Sequence, residues 1–400
     1  MLRGMSADRE NVGRRVRAAR KLVGMTQGQL ARHASFSESL VKKVEAGSAP
    51  PSPAFVAGCA KALGVKVAAL YGTLGEEVVS QPSDDANAVA ELRSALDAWD
   101  DPRPEGQPVT LDALVQRLDV VSKQVLRLDH ADAAYSLARS FHHLYVIADD
   151  NGRAGEQARS ALHDAYRLAA TVAGRLRQAD LAAIASERHV QLAGRTGEPT
   201  RVAISAFHRT TRHLQYGDYR TGLRVLDRAR EHVGTSSADR AVSVQLDLRA
   251  AVLSARAGDQ DEADGYLDRA RALSAEHALP AEPFFGIDAS STNIAVHWCA
   301  TPVEGYDGTE AVRRAGMTPV VDRKRPERVG HHHIDMARAW VLHGDREHAL
   351  GELNAARQVA PRATRNHPSV RETVFALATR DRRATDSLAE FARWAGIQLT

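Results

Sequence analysis

Three stretches far apart in the chain are copies of one another: YGDYRTGLRVLDRARE from Tyr216, AGDQDEADGYLDRARA from Ala257 and HGDREHALGELNAARQ from His343. After each Gly-Asp pair come, at equal offsets, a small residue (Gly222, Ala263, Ala349), a leucine (Leu226, Leu267, Leu353) and an alanine (Ala229, Ala270, Ala356). The glycine can end one helix in a left-handed conformation and the aspartate can cap the next. The small-leucine-alanine stripe then lets that second helix lie close against a neighbour. A helix pair of this kind buries its apolar stripe only by stacking on another copy, so the pattern commits the chain to an array of helix pairs.

The intervals are uneven, 41 residues from Gly217 to Gly258 and 86 from Gly258 to Gly344, which leaves room for a degenerate copy around Ile294 to Gly316. An upstream pair is expected over Ala154 to Arg175 and Asp180 to Gly194, and Ser369 to Gly396 closes the series. From about residue 84 onward the chain has almost no period-2 alternation, and its apolar residues fall at helical spacing between breaks of Gly, Asp or Pro. The expected fold is all-α: a head of short helices over residues 1–75, a connector with one helix over 76–110, and a helical-repeat domain over 111–400. The segment from Asp100 to Pro108 is charged and rich in Pro and Gly, so the head is expected to move relative to the array.

The head contains TQGQLARHASFSESLVKKVEAG, from Thr26 to Gly47, which reads as two short helices joined by a tight turn. Thr26 and Ser37 are N-cap residue types, each placed before an amphipathic run. Leu30, Ala31, Val41 and Val44 are expected inside, with Phe36 plugging the turn. The second helix then turns outward Glu38, Ser39, Lys42 and Lys43, polar groups able to reach base edges or phosphates in a major groove. Charge agrees: residues 1–75 carry 12 Lys+Arg against 4 Asp+Glu, whereas residues 76–400 carry 41 against 46. A basic head on a slightly acidic body is the electrostatic footprint of a double-stranded DNA-binding unit attached to something of another kind.

Residues 11 to 72, through PSPAFVAGCAKALGV, resemble the phage-repressor type (Xre) helix-turn-helix domain. The resemblance implies that Gln27 meets a phosphate, that Ser37 caps the recognition helix, and that Glu38, Ser39 and Lys43 occupy base-facing positions. It also matches Glu45 and Gly47 to the family's closing Glu-x-Gly. Ser35 stands where the family usually has glycine, so a strain on the order of 1 kcal/mol is expected there. Glu38 is a second departure; a carboxylate at the groove can accept from a cytosine amino group but repels phosphates. The Gly-Asp repeats, with a proline after one of them at Pro361, are similar to tetratricopeptide-type (TPR) repeats, though longer and looser. A repressor-type head on such a body resembles two-part bacterial regulators, particularly Arg/Ala-rich actinobacterial ones. That resemblance implies a homodimer whose repeats receive a small molecule or peptide.

Other classes find little support. The chain shows no phosphate-binding Gly loop with Lys-Ser/Thr, no G-x-S-x-G and no H-E-x-x-H, so no enzymatic activity, catalytic residue or cofactor is expected. His331, His332 and His333 point to different faces of a helix, so no metal site is expected there; they are placed in the first turn of a helix running through Met336 and Trp340. Cys59 and Cys299 sit in apolar helical runs and are expected as buried thiols. The N-terminal segment lacks a signal-peptide core and no apolar run reaches 18 residues, so a cytoplasmic protein with no membrane partner is expected.

The stretch PFFGIDASSTNIAVHW, from Pro283, gathers Phe284, Phe285, Asn293, His297 and Trp298 in a chain with few aromatics. These residues, with Arg212 and Tyr216 near the first Gly-Asp turn, are the candidates for a ligand-binding groove. The bland reading is that the aromatics fill a packing gap where the repeat degenerates. The expected function is a sequence-specific, ligand-responsive transcriptional regulator. The alternative is a protein-interaction adaptor whose repeats hold a partner and whose head tethers it to DNA.

Overall fold

The computed structural model describes residues 12–65, 67–71, 84–127, 129–280, 284–380 and 386–397. Of the features expected above, residues 1–11 and 72–75 of the head, residues 76–83 of the connector, Pro283 and residues 381–385 of the closing segment lie outside these. All regular elements among the described residues are helices, as expected, and none is long and apolar enough to cross a membrane. By compactness the chain forms two units, one of residues 1–76, 211–224 and 243–400, the other of residues 77–210 and 225–242. The division therefore runs differently from the one drawn on the sequence, because the head shares a unit with the later repeats.

In the first unit the head consists of α1 (Val12–Leu22), α2 (Gln27–Ala34), α3 (Glu38–Glu45), α4 (Pro53–Leu63) and α5 (Val67–Tyr71). Its caps follow from the sequence. Thr26 and Gln29 form a capping box, Ser37 Oγ accepts from Leu40 N at 3.1 Å, and Ser52 Oγ accepts from Phe55 N at 3.1 Å. Ser35 does adopt the left-handed conformation, with φ 60°. Leu30, Val41, Val44, Phe55 and Cys59 are buried together as the head's core.

The second unit holds α6 (Asp84–Asp97), α7 (Leu111–Leu126), α8 (His130–Ala148), α9 (Arg153–Arg175) and α10 (Ala179–Ala193). The last two match the expected upstream pair. Leu92, Leu114, Phe141 and Leu144 are among its buried core residues, and the Phe141 and Tyr166 ring centres lie 5.2 Å apart. The unit also buries a polar cluster. His163 and His189 stack at 3.9 Å, His163 Nε2 lies 2.8 Å from Ser205 Oγ, and burial lowers the basicity of both imidazoles.

Three helices, α11 (Pro199–Tyr216), α12 (Tyr219–Arg230) and α13 (Ser237–Ala257), contribute residues to both units. The first unit continues with α14 (Gln260–Glu276), α15 (Ser291–Glu304), α16 (Gly308–Met317), α17 (Pro326–His343), α18 (Arg346–Val359), α19 (Pro361–Asn366), α20 (Pro368–Arg380) and α21 (Asp386–Ala395). Here the repeat pattern acts as read. Gly217, Gly258 and Gly344 all have positive φ, and Asp259 and Asp345 accept from Glu262 N and His348 N. Leu226, Ala263, Leu267, Ala270, Ala349, Leu353 and Ala356 are all fully buried, and a Cβ at Gly222 would stand 3.1 Å from Leu253. The small-leucine-alanine stripe is therefore the packing face. The histidine triplet falls in the second turn of α17 rather than its first, because the helix already starts at Pro326.

The degenerate copy is α15 and α16, joined by Gly305-Tyr306-Asp307. Asp307 caps this pair too, accepting from Glu310 N at 2.8 Å, but the glycine of the other turns is replaced by Tyr306, whose φ is 65°. A non-glycine residue in that conformation is strained by roughly 1 kcal/mol or more. What holds it is the head: the Tyr306 hydroxyl lies 2.6 Å from Ser52 Oγ and accepts from Ser52 N at 3.3 Å. Its ring meets Phe36 edge-on at 6.1 Å. A second contact is made at the first repeat turn, where a Cβ on Gly217 would touch Ala57 of α4 at 3.4 Å. The head is thus docked on two repeat turns, in contrast to the mobile attachment expected from the connector's composition.

Candidate nucleic-acid interface

The geometry of α3 is set by a buried ion pair. Arg20 Nε and Nη2 donate to the two oxygens of Glu45 at 2.6 and 2.8 Å, and Nη1 donates to Met25 O at 2.7 Å. Both side chains are almost wholly buried, so the bidentate pair ties the C-terminal end of α3 to α1 and to the entry of α2. Gln27 joins it, donating from Nε2 to Glu45 at 2.8 Å. Gly47, at φ 72°, then turns the chain away from the helix. The closing Glu-x-Gly therefore has a physical content: the Glu anchors the helix and the Gly permits its exit. The anchoring role of Arg20 was not read from the sequence, since nothing local links it to a carboxylate 25 positions away.

With Val41 and Val44 inward, Glu38, Ser39, Lys42 and Lys43 are all exposed. Lys42 Nζ lies 2.7 Å from Glu38, one turn earlier, and the lysine pulls that carboxyl below its usual range. The carboxylate thus offsets one lysine of the face, while Ser39 and Lys43 project beside it. Ser37 serves as the helix cap, and Gln27 is half-buried at the start of α2 with its amide nitrogen directed to Glu45. A groove of about 430 Å³ runs along one flank of α3, lined by Ser39 and Lys43 on one side and by Gly305, Tyr306 and Leu342 on the other. A short capped helix carrying small and cationic polar groups outward on a basic head is suited to phosphate contact and base-edge reading.

The residues proposed for a ligand groove are divided among several separate contacts. Phe284 and Phe285 pack on each other edge-to-face at 5.4 Å, around a narrow turn in which Phe285 has φ 48°. The Trp298 ring is held between the guanidiniums of Arg271 and Arg314, at 4.4 and 4.1 Å. Asn293 is buried and donates from Nδ2 to Asp288 O at 2.5 Å. Arg212 is half-buried and Tyr216 is 62% exposed at the end of α11. His297 lines a cavity of about 240 Å³ among α13, α15, α17 and the start of α20. Around the degenerate copy, Phe284 and Phe285 thus contact each other and Trp298 contacts two arginines.

The cavity's charged walls were not legible in the sequence, because they come from helices 30 to 80 residues apart. Glu304 accepts from Arg256 Nε at 2.7 Å and from Arg338 Nη1 at 2.9 Å, and Arg338 also reaches Asp335 at 3.2 Å. Burial alone would raise the Glu304 carboxyl, but Arg256 and Arg338 overcome it and hold it down to about 2. Burial dominates instead at Asp335, whose carboxyl is raised. Both cysteines are buried thiols, each pushed up to about 12 by burial, which favours the protonated form.

Residues 11–71 match a family model described as a helix-turn-helix domain. The immunity repressor protein of Bacillus phage phi105 is 30% identical over 128 residues, which are 30% of this chain and 89% of that protein. No solved structure matches the chain. The matched segment coincides with α1 to α5, the elements that present α3, and the chain belongs to the helix-turn-helix regulators of the phage-repressor (Xre) type.

Proposed function

We propose that this DNA-binding transcriptional regulator is sequence-specific and dimeric, and that its helical repeats, of tetratricopeptide type, make its DNA binding respond to a ligand. The observation that carries the reading is the exposed face of α3, with Ser39, Lys42 and Lys43 outward while the buried Arg20–Glu45 pair fixes the helix in the head. Lys43 and Ser39 reach bases, and Lys42, offset by Glu38, serves the backbone. Two copies present two such helices to half-sites about 34 Å apart, one turn of B-DNA. Docking of each head on Tyr306 supports the response to a ligand, since a change in the repeats at that turn alters how the head is held.

The test is selection of an operator from random duplex DNA by the purified full chain, followed by titration of variants. Lys43→Ala is expected to weaken operator binding by about 1–3 kcal/mol, with a smaller loss on unrelated sequence. Unchanged affinity in Ser39→Ala, Lys42→Ala and Lys43→Ala alike sinks the assignment of α3. Recovery of a stoichiometric partner protein, with no operator enriched, decides for the adaptor instead. Light scattering that gives a monomer on operator DNA removes the dimer.

A further inference from the structure

The cavity of about 240 Å³ has walls of unusual composition for a repeat interior. Its lining includes three guanidiniums, Arg256, Arg328 and Arg338, against two carboxylates, Glu304 and Asp335. Arg338 and Asp335 are buried, and Arg328 stands exposed at the mouth. These charged groups leave a positive balance, three guanidiniums against two carboxylates, around His297. Its Nδ1 donates to Asn293 O at 2.8 Å, and the ring is held at about 4 first by burial and then, beyond the opposing effect of that carbonyl, by the positive charges of Arg328 and Arg249. A neutral imidazole with Nδ1–H committed leaves Nε2 as an acceptor. Val252, Val296 and Ala300 supply an apolar side. The volume lies below that of drug-sized pockets, so the fitting occupant is of metabolite size.

The same walls are continuous with the head's docking site. Glu304, which bridges Arg256 and Arg338, ends α15 two residues before Tyr306, the residue on Ser52. Tyr71 of α5 and Tyr219 of α12 lie close enough to feel the charges of Arg256 and Glu304, and the buried Tyr219 hydroxyl has no hydrogen-bond partner among the described residues. An anion entering past Arg328 meets the Arg256 and Arg338 forks that Glu304 now occupies, and competition for those donors moves the end of α15 and with it Tyr306.

We propose that this cavity is the binding site for a small organic anion, a carboxylate- or phosphate-bearing metabolite with a hydrogen-bond donor for His297, and that its occupancy is relayed through Glu304 and Tyr306 to the head. The proposal rests on the ligand-responsive part of the reading above and identifies its site and chemistry.

The experiment is isothermal titration of the full-length protein, without DNA, using glutarate, malate and inorganic phosphate as probes and glutaramide as the neutral control. Saturable binding of at least one anion is expected, with none for the diamide and at least a tenfold weaker dissociation constant in Arg328→Gln, a substitution at an exposed rim position. Amide exchange at Phe55, whose N–H is capped by Ser52, is expected to change at saturation with the anion that binds. No saturable binding by any of the three, equal binding of glutaramide, or equal affinity in Arg328→Gln overturns the site. Unchanged Phe55 exchange at saturation overturns the relay. Because the titration contains no DNA, its failure leaves the α3 assignment standing, and loss of the α3 assignment leaves the titration unaffected.

Discussion

The Arg20–Glu45 pair permits the sharpest test of how the head is built. Both side chains are almost wholly shielded from water, the guanidinium makes two bonds to the carboxylate at 2.6 and 2.8 Å, and it makes a third to Met25 O. In Arg20→Ala the carboxylate stays buried with, among the described residues, only the Gln27 amide as a side-chain donor. Breaking one side of a buried pair destabilises by about 3–5 kcal/mol, because an uncompensated charge is left in a region of low polarisability. Each 1.4 kcal/mol is a factor of ten, so protection of the α3 amides against hydrogen exchange is expected to fall by about two to four orders of magnitude. Exchange at Val41 and Val44 is the right observable, since a chain of two compact units need not unfold in one step. The double variant Arg20→Met/Glu45→Leu removes both charges together and is expected to recover most of the protection. A loss below tenfold in Arg20→Ala, or a double variant as poor as the single one, would refute the claim that electrostatic completion of this pair holds α3 in place.

Other consequences can be checked separately. Tyr306→Phe keeps the ring against Phe36 but leaves Ser52 N, in a fully buried residue, without its acceptor; a loss of about 1–3 kcal/mol in head docking is expected, read as faster exchange at Phe55. Burial pushes the Glu372 carboxyl up to about 7 against the pull of Arg15 and Arg371, so the folded state holds a proton that the unfolded chain releases near pH 4.5, and stability falls as pH rises between those values. Glu372→Gln removes that loss, and its melting temperature should exceed the parent's at pH 8 but not at pH 4.5; an equal difference at both values would discard the assignment. His163 and His189 are bases kept neutral by burial, so the unfolded state takes up protons first and the stability they contribute above about pH 6.5 is lost as pH falls below it. Acid sensitivity that begins only below pH 5 would contradict this.

Much of the fold was legible because it depends on neighbours in sequence. Thr26, Ser37 and Ser52 cap helices through atoms three residues away, and Gly217, Gly258 and Gly344 take positive φ because a helix must end there. The outward set Glu38, Ser39, Lys42 and Lys43 followed from helical period alone. The surroundings of the ligand candidates were hard to read for the opposite reason. Aromatic richness over Phe284 to Trp298 signals contact area without saying with what, and arginines from α14 and α16 claimed the Trp298 ring. Tyr306 left a trace, standing where the three clear Gly-Asp turns have glycine, but its meaning lay in Ser52, some 250 positions earlier.

The sequence by itself determined the secondary structure, the inward stripe of each repeat helix and the basic outward face of α3, since these rest on φ preferences, capping and periodicity within a few residues. Tertiary structure alone decided that Arg20 anchors Glu45, that the head docks on the turns at Gly217 and Tyr306, and that Arg256, Glu304 and Arg338 converge on one cavity. Charge pairing and packing act through space, where residues tens to hundreds of positions apart compete for the same partner, and no local pattern records which of them meet.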